Sequence, residues 1–486
     1  YDIISMDIEL ASSDAEFYSQ ANYEVTVTSL IEIDERITFF MPGIDVSSVT
    51  VVTRDGVSYP AQVQIDLETG MADVELDSGL APNSITTFVI EGVLALDRVC
   101  TGPRNCVLSG EYQHLATAGW YPMSDSYSTD DRFLIRTSFV ESENSNSTGR
   151  TIGIAEPSGE FAESFSTSTR TYLPAVVRGN YQFIDGDTDF HFFAPSDVDS
   201  VGFNDGLADS RRLYERLFGE MPFTPVQLAT ISNEARVAIG AQALILIPEG
   251  LWRVPPADPF FETILEIVSH ELAHQYFFNL VGITDPRDGW LSEGFAEYAA
   301  SRASEARNGN QAHIMRNYWS YIFAADAESD APIYGLSVRE SPIVYEIMYQ
   351  KGSAILELLR RKLGTTAMDS ALLDYTQEFA NQIATTSEFE AFLTNRFPDS
   401  SIDTFFEKWV YRSGFPLLTV RGSRRRLDSG RLKVGLSIRV PAGGQPMNAA
   451  IPVKLVGPND EQRIQLSNED AETIIELRNE TFGIVV

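Results

Sequence analysis

Cysteine, histidine and basic charge are all scarce in this sequence, and no long hydrophobic run occurs in it. The 486 residues include two Cys and five His. Two cysteines cannot build a disulfide-dense scaffold. Cys100 and Cys106, with five residues between them, do not form a C-x-x-C redox pair, and with no His or Cys close by they are not a zinc site. The segment Cys-Thr-Gly-Pro-Arg-Asn-Cys is rich in turn formers, so closure into a small disulfide loop is sterically reasonable; two free thiols are the alternative. An oxidised pair would imply a secreted or periplasmic protein. Lys and Arg total 36 against 69 Asp and Glu, a net charge of −33. That balance argues against nucleic-acid phosphates and against anionic membrane surfaces as partners. It leaves a solubility device or a taste for cationic substrates. Without a run of about eighteen apolar residues there is no membrane-spanning helix. The start, Tyr1-Asp2-Ile3-Ile4-Ser5, has neither a basic segment nor an initiator Met, and the expectation is that residues before it have been removed. There are no internal repeats and no low-complexity segment.

The patterning divides the chain in three. Residues 1–195 read as β-rich: Tyr23–Thr28, Ile37–Phe40, Val49–Val52, Val63–Asp66, Ala72–Leu76 and Thr86–Ile90 alternate with period two, and Pro42-Gly43, Asp55-Gly56 and Pro82-Asn83 punctuate them. An antiparallel sandwich or saddle follows. The run Asp185-Gly186-Asp187-Thr188-Asp189 lacks the glycine and glutamate of a calcium loop and reads as a hairpin turn. Residues 196–415 form an α+β block with its strands first, at 226–231 and 237–247. Helices are expected at 207–217, 259–281, from Glu293 to about Arg307, and at 312–325, 341–363, 366–380, 387–395 and 402–411. Residues 416–486 turn β again as a small C-terminal domain, in which Arg424-Arg425-Arg426 reads as a solvated turn. Asn146-Ser147-Thr148 and Asn479-Glu480-Thr481 fit the N-glycosylation pattern.

Chemistry concentrates in His270-Glu271-Leu272-Ala273-His274 and Trp290-Leu291-Ser292-Glu293-Gly294-Phe295-Ala296-Glu297-Tyr298. Residues i and i+4 share a helix face, so His270 and His274 can present two imidazoles to one ion. Eighteen residues separate His274 from Glu293, enough to end one helix, turn, and begin another beside it. Two His and one Glu make an open set with a fourth position for water, the arrangement of catalytic zinc. Phe260, Phe261, Ile264, Leu265, Ile267, Val268, Leu272 and Ala273 surround the motif, so the ionisable groups are expected to be buried, where a metal offsets the cost. Glu271 is placed as the general base and Glu297, one turn after Glu293, as acceptor of a hydrogen bond from a ligand imidazole. Trp290 is expected to pack the junction of the two ligand helices.

These motifs resemble the aminopeptidase N and leukotriene hydrolase family of gluzincin metallopeptidases. The resemblance rests on His270–Val281, on Glu293 at its eighteen-residue separation, and on Tyr349-Gln350-Lys351-Gly352, which is similar to the family's Y-x-K-G segment. It implies an N-terminal β saddle, a thermolysin-like catalytic domain and a β sandwich, one zinc ion, a peptide substrate, and a role for Tyr349 as hydrogen-bond donor to the developing oxyanion. Relatives often continue into a C-terminal helical domain. This chain ends at Val486 in strand-like sequence, and truncation is an expectation.

One departure bears on specificity. The family's G-x-M-E-N edge-strand motif, whose Glu holds the substrate's amino group, corresponds here to Gly240-Ala241-Gln242-Ala243-Leu244. The backbone of Gly240, Ala241 and Gln242 can still pair with an extended peptide, but Ala243 cannot pair with an ammonium. The expected function is a zinc metallopeptidase, an aminopeptidase by resemblance. An endopeptidase or restricted peptidase is the alternative raised by Ala243, and a non-catalytic binding protein on the same fold is the reading from another class.

Overall fold

The computed structural model describes the chain except for residues 12–19, 34, 101, 103–105, 109–110, 118, 125–133, 141–149, 154–155, 158–163, 167–170, 172–174, 186–189, 195–200, 284, 326–329, 337–340, 414–418, 427–431, 440–448, 457–460, 467–470, 478–482 and 486. The Asn146 and Asn479 glycosylation patterns and the centre of the Asp185–Asp189 run lie outside the described residues.

All six alternating segments of the N-terminal region fall in or at the ends of strands. Gln20–Thr28 and Ile85–Leu94 pair with each other at the middle of an eight-stranded sheet. Tyr23, Val25 and Val27 face Phe88 and Ile90 in its core. Arg36–Phe40, Met71–Glu75 and Val63–Asp66 form a separate three-stranded sheet that shares this core. Cys100 and Cys106 are joined by a disulfide.

A five-stranded sheet carries the site. Its order is Gln182–Asp185, Phe190–Ala194, Val226–Ile231, Leu244–Pro248 and Ile239–Ala241. The three central strands are parallel and the two outer ones antiparallel. The hairpin 182–194 thus belongs to this sheet, upstream of the boundary expected at 195. Period two reveals a strand but not the sheet it joins.

The segment 237–247, expected as one strand, is a hairpin turning at Gln242 and Ala243. Neither residue is a turn former, and Ala243 adopts a left-handed φ of 55°. For a residue with a Cβ that conformation costs roughly 1–2 kcal/mol. The side chain of Gln275 holds it: Nε2 donates to the Ala241 carbonyl at 2.9 Å, and Oε1 accepts from the Ala243 amide at 2.8 Å.

The helices are α1 (Val201–Phe218), α2 (Glu249–Trp252), α3 (Phe261–Ala273), α4 (Trp290–Asn308), α5 (Ala312–Ala324), α6 (Gly352–Leu363), α7 (Thr365–Glu378), α8 (Thr386–Arg396) and α9 (Ile402–Trp409). None of the described helices is long and apolar enough to cross a membrane. Helix α3 is shorter than the 259–281 its apolar pattern suggests. Beyond Ala273 the amides of Asn279, Leu280 and Val281 bond back to the carbonyls of His274, Gln275 and Tyr276, and Phe278 takes a φ of 117°. Asn279 Nδ2 also caps the His274 carbonyl at 2.8 Å. These turn residues are mostly buried, so hydrophobicity continues past the helix end. Helix α4 stops at Gly309 with φ 65°, where Asn308-Gly309 is expected to stop it. Residues 346–351 form a π-helical turn leading into α6.

Trp290 is fully buried, its ring 5.8 Å from Phe295 and also turned toward α8. Its Nε1 donates to Thr386 Oγ1 at 2.9 Å and its ring meets Phe389. Phe295 fills the junction, 4.8 Å from Phe277. After α9, six strand backbones between 419 and 485 form two three-stranded sheets. Arg424, Arg425 and Arg426 lie within a strand there rather than in a turn.

Replacing Gln275 with Ala strands a buried carbonyl and a buried amide at the Gln242–Ala243 turn. The expected loss is about 2 kcal/mol, read as a lower urea midpoint with an unchanged m-value.

Candidate metal centre

Helix α3 sets His270 and His274 on one face, their ring centroids 4.9 Å apart and their planes at 83°. Helix α4 crosses α3 and brings Glu293, in its first turn, between them. One carboxylate oxygen of Glu293 lies 3.3 Å from Nε2 of His270 and 3.3 Å from Nε2 of His274. Ligand atoms of the three residues all fall within 4.8 Å of one another, and among the described residues no other group of His, Cys, Asp and Glu comes together in this way.

The opposite ring nitrogens fix the tautomers. His270 Nδ1 donates to Glu297 Oε2 at 2.9 Å, and His274 Nδ1 donates to the Phe277 carbonyl at 3.0 Å. A carbonyl or carboxylate can only accept, so each Nδ1 carries a proton, and each Nε2 faces the Glu293 carboxylate, protonated without a metal and free to give its lone pair to an ion that displaces that proton. Two imidazole nitrogens and one carboxylate oxygen, with no fourth protein donor among the described residues, suit zinc and leave a coordination position open. Hard all-oxygen ions such as calcium and magnesium fit poorly.

The electrostatics point the same way. Burial opposes a charge on His270, yet Glu293 and Glu297 outweigh it and hold the imidazole pKa well above its usual value. His274 is raised as well, with burial opposed chiefly by Glu293. Burial works against ionisation of Glu293 and Glu297, but the imidazoles hold both carboxyls far below the usual range. The pocket therefore favours positive charge at its centre, whether a proton or a metal cation.

Glu271 is buried beside the edge strand Ile239–Ala241. A Cβ on Gly240 would sit 2.8 Å from the Glu271 carbonyl, 3.1 Å from its Oε2 and 3.0 Å from the His274 Cβ. Glycine is what lets the strand pass this close. The neighbouring candidates are placed differently. The Ala241 carbonyl is engaged by Gln275, and Gln242 and Ala243 are buried in the turn. Of the three residues expected to line the substrate, Gly240 lies against Glu271.

Tyr349 stacks on His270, with centroids 5.5 Å apart and planes 9° from parallel. Tyr345, one turn earlier, is half exposed and lies 6.2 Å from Tyr349. The π-helical turn that carries Tyr349 is pinned at its end. Lys351 is buried with Nζ 3.0 Å from the Ala331 carbonyl and 3.4 Å from Asp330, and burial draws its pKa down while Asp330 opposes. The next residue, Gly352, meets Gly294 of α4 backbone to backbone. A Cβ on Gly294 would come 3.0 Å from the Gly352 Cα, and one on Gly352 would come 2.9 Å from the Gly294 Cα. The Glu293 segment and the Tyr349 segment are joined at this contact.

Two residues that sequence reasoning passed over complete the site. His313 Nε2 donates to Glu297 Oε1 at 2.8 Å, and Asn317 Nδ2 donates to the same oxygen at 2.7 Å. Their only sequence signal is an i, i+4 spacing and the rarity of His.

Gly294→Ala and Gly352→Ala should each force α4 and α6 apart and cost about 1–3 kcal/mol, seen as a lower thermal midpoint in zinc-free protein. An unchanged midpoint for both would contradict the close crossing.

Residues 257–409 match the peptidase family M1 domain. Over 178 residues the chain is 29% identical to aminopeptidase N of Bos taurus, covering 33% of this chain and 18% of that protein. It is 25% identical over 236 residues to leucyl aminopeptidase of Saccharolobus solfataricus, covering 45% of this chain and 29% of that protein. The chain thus spans under a third of the length of these relatives. A mutant two-domain M1 zinc metallopeptidase bound to L-tryptophan superimposes with a TM-score of 0.67 at 16% identity, over 86% of this chain and 95% of that one. The M1 zinc metallopeptidase of Deinococcus radiodurans does so with a TM-score of 0.66 at 17% identity, over 86% and 94%. The fold is common to this chain and these two structures. The matched domain at 257–409, these relatives and these structures together support a likeness to the aminopeptidase N-like gluzincin metallopeptidases.

Proposed function

We propose that the protein is a metallopeptidase that holds one zinc ion on His270, His274 and Glu293 and hydrolyses peptide bonds as an aminopeptidase. The observation that carries this is the convergence of two Nε2 lone pairs and one Glu293 oxygen beside the buried Glu271. Zinc, when bound, supplies Lewis acidity and lowers the pKa of a coordinated water to about 7.

The protein's own groups do the rest. Glu271, against the edge strand, takes the proton of the attacking water and returns it to the leaving amine. Tyr349, held over His270, donates a hydrogen bond where negative charge develops on the carbonyl oxygen. Glu297 keeps the proton of His270 on Nδ1 and so keeps Nε2 available as a ligand. Gly240 gives an extended peptide close approach to Glu271.

Aminopeptidase activity is supported by the names of the relatives. It is also supported by structural neighbours bound to L-tryptophan, L-arginine and a Tyr-Ser-Ala substrate. One observation favours a second reading. The turn at Gln242 and Ala243 offers no carboxylate to a free amino group, which suits an endopeptidase or restricted peptidase. The disulfide between Cys100 and Cys106 supports a secreted or periplasmic location.

The test is a panel of free and N-acetylated peptides, with and without a chelator. Cleavage is expected to need the metal and the free amine. Equal cleavage of blocked peptides would select the second reading, and chelator-resistant cleavage would sink both. Glu271→Gln should lower kcat by about 10²–10⁴-fold, and Tyr349→Phe by about 10²–10³-fold, each with zinc content unchanged. Thiol labelling of protein from its natural source should find no free thiol until a reductant is added; two labelled cysteines beforehand would exclude the oxidising location.

A further inference from the structure

The metal helix is tied to two others by a chain of largely buried polar groups. From His270 on α3 it passes to Glu297 on α4 at 2.9 Å and from there to His313 on α5 at 2.8 Å. The far side of His313 faces α3 again at Glu266, whose Oε1 lies 3.6 Å from His313 Nδ1, a spacing too long for a hydrogen bond. Glu266 stands four residues before His270, so both ends of the chain lie on one face of α3. Glu266 is itself held by Ser304 Oγ at 2.9 Å and by Arg316. His270, His313, Glu266 and Asn317 are all more than nine-tenths buried.

Glu297 is the member on which the chain of contacts turns. Its Oε2 accepts from the metal-facing imidazole, while its Oε1 accepts from both His313 and Asn317. A carboxylate held at one oxygen alone can rotate about its last bond. Held from both sides it cannot, and the plane of His270 is fixed with it. His313 is not a ligand, and it lies on a helix outside the two metal-binding motifs.

We infer that His313 is a positioning residue of the metal centre: with Asn317 it locks the Glu297 carboxylate, and through Glu297 it sets the tautomer and orientation of His270 and hence the affinity for zinc. The inference rests on the metal reading above. It makes α5 part of the metal site although it contributes no ligand. It also assigns a use to a buried histidine that the hydrolytic step does not need.

The test measures the zinc Kd by competition with a chromophoric chelator. His313→Phe, which fills the space and donates nothing, should weaken zinc about tenfold. His313→Gln, which offers an amide donor in the same place, should stay within about threefold of wild type. The same His313→Phe change made in a Glu297→Gln background should have no further effect, because its route to the metal is already cut. A merely structural role would instead add the same loss in both backgrounds. If His313→Phe gives no cooperative melt, Asn317→Leu removes the other donor to the same oxygen and should show the same loss and the same dependence on Glu297. A Kd for His313→Phe, or for Asn317→Leu in its place, within about twofold of wild type overturns the inference, as does a loss that persists undiminished with Glu297→Gln. Wild-type protein that binds no zinc overturns the metal reading itself, an outcome distinct from tight wild-type binding that His313 does not affect.

Discussion

Four ionisable side chains sit together, His270 and His274 buried and Glu293 and Glu297 partly so, and the helical half of the chain is arranged to make that tolerable. Burying such groups is costly unless each polar atom finds a partner of the right kind. Each Nδ1 has an acceptor, each Nε2 faces the Glu293 carboxylate, and Glu297 is shared between a ligand and a helix behind it. Phe277, Phe295, Tyr375 and Phe389 fill the space alongside with aromatic surface. The bias toward positive charge at the centre comes from the adjoining carboxylates, Glu293 and Glu297 first among them.

What could be read from the sequence was whatever depends on short, regular spacing. The i, i+4 imidazoles, the acidic residue eighteen positions on, and the alternation of the N-terminal strands all follow local geometry, and the structure places them accordingly. What could not be read depends on distant partners. The turn at Gln242 and Ala243 has no glycine, proline or asparagine to announce it; a side chain at position 275 imposes it. The end of α3 is hidden because the turn that follows is as buried as the helix. Nothing near His313 in sequence says that its partner is sixteen residues earlier on another helix. The hairpin 182–194 looked like the last of the N-terminal strands because period two carries no information about which sheet completes the pairing.

The edge of the five-stranded sheet shows how a small residue can serve two demands. Gly240 leaves room for Glu271, and the strand keeps its free side because the hairpin closes on only one neighbour. Shortening the connection to two residues leaves Ala243 tucked inward in a left-handed conformation, where no carboxylate is presented. The loop is therefore a separate element of the site, distinct from the ionisable groups on the helices.

The glycine-to-glycine crossing has a mechanical meaning. Gly294 follows the carboxylate of the metal cluster and Gly352 closes the turn that carries Tyr349, so their backbone contact welds the two segments into one stiff body. A weld leaves no room for a hinge. The phenol and the Glu293 ligand are thereby mounted on a single backbone crossing, and the gap between them follows from how closely two glycines can meet.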